Sequence, residues 1–243
     1  MTDYVLIHGA WHGSWCWTRV RRLLAAGAHR VFTPTLTGLG ERSHLLSRDV
    51  GLDTHVADVA NLMIWEDLRD IVLVGASYGG IVARHVADRM PDRIRSLVYL
   101  DAFVPENGKA LFDYLPDSGE SMRQLAVAHG DGWKIPPIPA SVFAVNAADA
   151  AWVDRQCTMH PLSSCEAPTR LSGHGGRTIS PVGIQAGRGQ PVDRRHRTVP
   201  APATASQTSD TFWRVAMTVL SASFTPRQES AAGGWRNLHA GMM

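Results

Sequence analysis

Ile71-Val72-Leu73-Val74-Gly75-Ala76-Ser77-Tyr78-Gly79-Gly80 carries the reading of the fold. Its first four residues are aliphatic with no polar alternation, the pattern of a strand buried on both faces of a parallel sheet. From Gly80 to Met90 the apolar residues take helical spacing, and Pro91 ends the run. A tight bend therefore joins a buried strand to a helix, and Ser77 stands at the bend. Gly75-Ala76-Ser77-Tyr78-Gly79 is G-x-S-x-G in the strand–turn–helix setting that gives this motif its chemistry. The flanking glycines leave room where a Cβ would strike a neighbouring strand or helix, and the strained turn lifts the serine oxygen above the carboxyl edge of the sheet. Without catalysis, the same residues would be a plain strand-to-helix turn.

Outward from this centre, Tyr4 to Ile7 reads as a short buried strand that stops at His8-Gly9. Trp15 to Ala26 is a helix with Trp17, Val20, Leu23 and Leu24 on one side, and Gly27 is its natural end. Val31 to Thr33 is a strand, Leu52 to Leu62 a helix and Ser96 to Leu100 a strand stopped by Asp101. Strand alternating with helix in this order predicts an α/β fold with a parallel sheet wrapped on both faces. Residues 104–165 are less regular, with a helix predicted over Ala147 to Cys157, and read as a lid inserted over a pocket. Residues 1–167 thus form the core with its lid. Residues 168–243 lack any apolar run like Ile71 to Val74, have one helix-like piece, Phe212 to Leu220, and read as an atypical tail of low order.

The chain of 243 residues is 44% hydrophobic, enough for one sizeable core. A net charge of +2 gives no reason to expect nucleic acid or a membrane surface as partner. It hides an asymmetry, because residues 168–243 carry nine arginines against Asp193, Asp210 and Glu229. Cys16, Cys157 and Cys165 fit no metal spacing and read as reduced thiols. With no leader-like start and no spanning apolar run, the sequence predicts a soluble, cytoplasmic protein without metal or cofactor. Its oligomeric state is open.

The loop His8-Gly9-Ala10-Trp11-His12-Gly13 follows the first strand, and its small residues let it fold back toward Ser77. A backbone N–H from this loop, Ala10 by position with Trp11 as the other choice, would join the N–H of Tyr78 in an oxyanion hole. Such a loop could instead bind phosphate, but G-x-G-x-x-G is absent. His8 and His12 read as structural hydrogen-bonding groups.

VLIHGAWHGSWCW (5–17), LTGLGERSHL (36–45), GASYGG (75–80) and VYLDAFVPENG (98–108) together resemble bacterial α/β-hydrolase esterases related to the plant methylesterase and hydroxynitrile lyase group. The resemblance covers roughly residues 3–168. It implies the α/β-hydrolase fold, a Ser–His–acid triad, an oxyanion hole from Ala10 and Tyr78, and hydrolysis of a small carboxylic ester. It also implies that Arg42, Ser43 and His44 are structural and that His160 belongs to the lid.

The resemblance leads one to expect two further strands after Pro168, the last leading into a catalytic Gly-His-Asp or Gly-His-Asn, and neither is legible. A serine without a base is a weak nucleophile, because its proton has nowhere to go. In the third-base register, however, the codons of His239-Ala240-Gly241-Met242-Met243 permit Cys-Gly-His-Asp. The tail therefore reads as an out-of-frame translation beginning near Pro168 to Arg177; the alternative is a genuine but divergent tail. If the tail is genuine, Asp101 is a sterically plausible acid, though an Asp capping the turn fits it better, and His174, His196 and His239 are motif-free candidate bases. The function predicted is a serine carboxylic-ester hydrolase on a small ester; with the triad His and acid unrecognisable, the activity of the chain as written stays open. The alternatives are a non-catalytic ligand-binding homologue and a hydroxynitrile lyase, whose required cation neither Lys109 nor Lys134 obviously supplies. Trp15, Trp17, Phe103, Phe112 and Trp133 hint at an aromatic pocket, although scattered aromatics are more often core.

Overall fold

In the computed structural model, residues 1–143, 145–172, 181–184 and 197–198 are described. The sheet contains β1 (Asp3–Ile7), β2 (Arg30–Phe32), β3 (Ile71–Ala76), β4 (Ile94–Leu100), β7 (Pro181–Ile184) and β8 (Arg197–Thr198). All neighbours are parallel, in the order β2-β1-β3-β4-β7-β8. The chain runs outward from β1 to β2, then returns to place β3 on the other side of β1. That reversal opens a crevice above the carboxyl ends of β1 and β3, where open α/β sheets bind their ligands. The loop after β1 and the bend after β3 both lie there.

Strand alternation divides the core. Val5, Ile7, Ile71 and Leu73 face one side, beneath α2 (Leu52–Trp65) and α3 (Gly79–Arg89). Tyr4, Leu6, Val72 and Val74 face the other, against Trp17, Val20 and Leu24 of the α1 region (α1, Thr18–Ala26). Helices on both faces explain why β3 tolerates no polar side chain. The predicted helix from Trp15 begins as a 3-10 turn over Ser14–Trp17 before α1, and α2 runs three residues past the predicted Leu62.

The segment read as a lid is more regular than its sequence suggests. It contains α4 (Glu120–His129), α5 (Ala147–Gln156), α6 (Leu162–Glu166), and an antiparallel ribbon of β5 (Lys134–Ile135) and β6 (His160–Pro161). It is tied to the core by an Arg19–Asp149 pair with both guanidinium nitrogens engaged, at 2.6 and 2.7 Å. Trp15 meets Trp152 edge to face at 5.0 Å. The Gly40 N–H donates to Thr158 Oγ1, and Ser163 Oγ donates to the Val50 carbonyl.

One expectation changes. The region after Pro168 does contribute strands, since Pro181–Ile184 pairs with β4 and Arg197–Thr198 pairs with it in turn. Pairing through main-chain groups explains why no long apolar run announced them. The predicted Phe212–Leu220 helix lies outside the described residues. Among the aromatics, Trp17 and Phe112 are buried core residues, and Phe112 also borders a cleft with Arg123 and Glu166. Cys16, Cys157 and Cys165 are free thiols, and no described helix is long and apolar enough to cross a membrane.

The elbow glycines are constrained by backbone, which cannot step aside. A Cβ at Gly75 would press on the Gly79 carbonyl oxygen and lie 2.7 Å from Gly80 Cα. Gly108, with φ +85°, has no atom within 4 Å of where a Cβ would sit. In urea unfolding, Gly75→Ala should cost about 3 kcal/mol or more through overpacking. Gly108→Ala should cost only the left-handed backbone penalty of about 1 kcal/mol. Equal losses would contradict this packing.

Candidate active site

Ser77 follows β3 directly and adopts φ +50°, a left-handed conformation that costs a non-glycine residue roughly 1–2 kcal/mol. Two main-chain bonds hold it there. Its N–H donates to the Leu100 carbonyl, and its carbonyl accepts the Phe103 N–H at 3.1 Å. Its side chain is partly exposed, and among the described residues its Oγ has no hydrogen-bond partner. Gly79 lies so close to β1 that a Cβ there would sit 2.6 Å from the His8 carbonyl and 2.7 Å from that of Ile7. Across the crevice, a Cβ on Gly9 would lie 3.2 Å from Ser77 Cβ and 3.6 Å from Ser77 Oγ. The loop after β1 therefore abuts the serine.

Imidazoles organise this loop. His8 is fully buried; its Nε2 accepts the Leu36 N–H at 3.0 Å, so its proton sits on Nδ1 and is donated to the Gly9 carbonyl at 2.8 Å. His12 Nδ1 donates to the Ala10 carbonyl at 2.6 Å, and its ring stacks on Trp15. Trp11, at φ +62°, faces the β5–β6 ribbon. Its N–H points to His160 Nδ1 at 3.5 Å, its carbonyl accepts the Thr158 N–H, and its indole N–H donates to the Ile135 carbonyl. The Trp11 N–H is thereby engaged with the ribbon. Neither the Ala10 nor the Tyr78 N–H donates to a protein acceptor among the described residues.

Tyr78 leads into α3, and its buried hydroxyl donates to His55 Nδ1 at 2.7 Å while His55 Nε2–H donates to the Thr37 carbonyl. Burial pushes His8 down to about 3 and His55 to about 4, and it drives His160 well below the ordinary histidine range. These imidazoles are neutral near pH 7, fixed in one tautomer by backbone partners. They are poorly suited to accept a proton from Ser77. His85 is likewise committed, between the Ile81 carbonyl and the Arg170 N–H. His44 and His129 are exposed.

Asp101 follows β4 at φ +42° and is an exposed residue, though partial desolvation of its carboxyl raises its pKa. Among the described residues its carboxylate has no hydrogen bond or ion pair, so no imidazole there is oriented by it. His174, His196 and His239 lie outside the described residues. Arg42 reaches the Thr35 carbonyl and Asp58, while Asp58 also receives Thr37 N–H and Oγ1–H, which braces the loop after β2. Ser43 lines a cleft of about 400 Å³ with Leu46, Trp133, Lys134, Thr158 and Met159. Ser77 is not part of that cleft. The roles of His55 and His160 were missed in the sequence, because a lone histidine carries no local signal of the distant backbone it will meet.

The Alpha/beta hydrolase family profile matches residues 4–240. A carbendazim hydrolyzing esterase from Nocardioides sp. is 42% identical over 204 residues, which cover 81% of this chain and 84% of that protein. Methylesterase 1 of Arabidopsis thaliana is 31% identical over 125 residues, covering 51% of this chain and 48% of its own. An extracellular alpha/beta-hydrolase from a Paenibacillus species has the same fold, with a TM-score of 0.74 at 23% identity over 90% of this chain and 98% of that one. With the parallel sheet, the strained serine after β3 and an esterase relative along four-fifths of its length, the chain belongs to the alpha/beta hydrolase family.

Proposed function

We propose that the protein hydrolyses small carboxylic esters with Ser77 as nucleophile and the N–H groups of Ala10 and Tyr78 as oxyanion donors. The observation that carries this reading is the strained Ser77 at the sheet's switch point, abutting the Gly9–Ala10 loop. The neighbouring Ala10 and Tyr78 N–H groups have no protein acceptor among the described residues. Esterase-named relatives support the same reaction class.

In this scheme Ser77 Oγ attacks the ester carbonyl, and its proton passes to a base. The carbonyl oxygen becomes an oxyanion, held by two donors already oriented before substrate arrives. Collapse of the tetrahedral adduct expels the alcohol, which takes up the proton; water then attacks the acyl-serine by the reverse path and releases the acid. Losing one such donor typically costs about 100- to 1,000-fold in rate. No cofactor enters these steps, and the partner is a small-molecule ester. The relative's name makes carbendazim the first substrate to try.

The buried histidines are committed elsewhere, so the base and its acid are sought in residues 173–243. An out-of-frame tail accounts for the missing Gly-His-Asp, while the family match extending to residue 240 favours the divergent alternative. The gene decides between them. A stop codon within the third-base frame that would encode Cys-Gly-His-Asp opposite His239 to Met243 is the expected result; an uninterrupted frame there means that the chain as written lacks its base, and contradicts its turnover.

A lyase acting on cyanohydrins needs a cation beside the reacting carbon. Lys109 is exposed, and Lys134 is paired with Asp131 at 2.7 Å. A non-catalytic binder would not require Ser77 to hold a strained turn.

A fluorophosphonate probe should label the wild type at Ser77, and Ser77→Ala should lose both labelling and turnover of p-nitrophenyl acetate; labelling elsewhere contradicts the assignment. The histidines give a pH prediction. Their folded values, about 3 for His8 and about 4 for His55, lie below the unfolded 6.5, so between these limits the unfolded chain binds more protons. This contribution to stability is full above pH 6.5 and is lost as the pH falls toward the folded values. Denaturation midpoints should therefore drop between about pH 6.5 and pH 5. A constant or rising midpoint would show that these imidazoles are not buried as described.

A further inference from the structure

A trans peptide group points its C=O and N–H in opposite directions, so a bond to one fixes the aim of the other. No peptide bond in the described chain is cis. In the Gly9–Ala10 peptide, His8 holds the carbonyl, and the Ala10 N–H must point away from His8. In the Ala10–Trp11 peptide, His12 holds the carbonyl and His160 receives the N–H from the opposite side. Each peptide is thus gripped by imidazole. Two of the three rings belong to the loop itself, but His160 comes from β6 of the lid.

His160 is fully buried, and its hydrogen bonds fix its tautomer. With Nδ1 receiving the Trp11 N–H, Nε2 carries the proton and donates to Ser164 Oγ at 2.9 Å, whose own proton goes to the Pro161 carbonyl. The same ring meets the Tyr78 ring edge-on at 4.7 Å and the Trp11 indole at 6.0 Å. One lid side chain therefore touches the residue after Ala10 and the residue that supplies the second donor. Thr158 and Ile135, beside it in the lid, take the Trp11 carbonyl and indole N–H. A metal site is a poor account of these rings, since no group of three ligands converges among the described residues.

We propose that His160 is a positioning residue for the oxyanion hole, gripping Trp11 and Tyr78 so that the two donor peptides are aimed only when the lid ribbon is seated. The inference rests on the Ser77 hydrolase reading and deepens it. The lid then completes the catalytic geometry besides covering the pocket. Its side chain touches no substrate and moves no proton.

The test uses the full chain with His160→Leu, His160→Asn and Ser164→Ala. Asn can place Oδ1 where Nδ1 now receives the Trp11 N–H, whereas Leu cannot. Turnover of p-nitrophenyl acetate is measured beside binding of an aryl trifluoromethyl ketone, which adds to the serine as an oxyanion. Leu should lower kcat by about ten-fold or more and weaken the ketone by a similar factor, with KM within about two-fold. Asn should recover most of both losses. If the Leu variant does not fold, Ser164→Ala, which removes the acceptor for His160 Nε2–H, should show the same paired loss at about three-fold. Unchanged kcat, a change in KM alone, or Asn no better than Leu overturns the inference while leaving Ser77 catalysis intact. A wild type that neither labels at Ser77 nor binds the ketone overturns the hydrolase reading, and this inference with it.

Discussion

The close approach of main chain to main chain around Ser77 is the constraint on which the rest depends. Gly75, Gly79 and Gly80 meet carbonyls or Cα atoms at separations that no side chain could enter. The turn between β3 and α3 can therefore be tight enough to put Ser77 at φ +50°. The Leu100 carbonyl and the Phe103 N–H hold it from β4 and the chain beyond. Strain of this kind persists only where the surroundings over-determine it. Here they do, from three sides.

Buried imidazoles do for the facing loop what glycine does for the elbow. His8, His12, His55 and His160 sit close together, yet burial keeps each of them neutral near pH 7. A neutral imidazole in one tautomer is a rigid piece with a donor at one end and an acceptor at the other. Such pieces can span backbone groups that would otherwise stay unpaired in a low-dielectric interior, where an unsatisfied polar group is expensive. A preorganised oxyanion site needs this rigidity, since its donors must not reorient during reaction.

The strand Ile71 to Val74 and the glycines beside Ser77 were legible because their causes are local: burial on two faces and steric exclusion at a bend. Four of the helices were legible to within a few residues for the same reason, although α4 went unread despite the Gly119 and Gly130 that bracket it, and the short α6 went unread as well. The ribbon of β5 and β6 could not be read, because each strand is two residues long and each exists only through the other. The strands after Pro181 escaped likewise, being defined by pairing with β4. His160 was read as a lid residue, and it lies in β6 of that segment. Its partner Trp11 stands 149 positions away, a distance no local pattern encodes.

The account reduces to where an oxyanion formed on Ser77 would lie. A crystal structure of the chain after reaction with a phosphonate probe locates that oxygen directly. The predicted result is phosphorus bonded to Ser77 Oγ with one phosphonyl oxygen about 3 Å from both the Ala10 and Tyr78 nitrogens. An adduct whose oxygen turns to solvent, or toward side chains instead of those two amides, would contradict it.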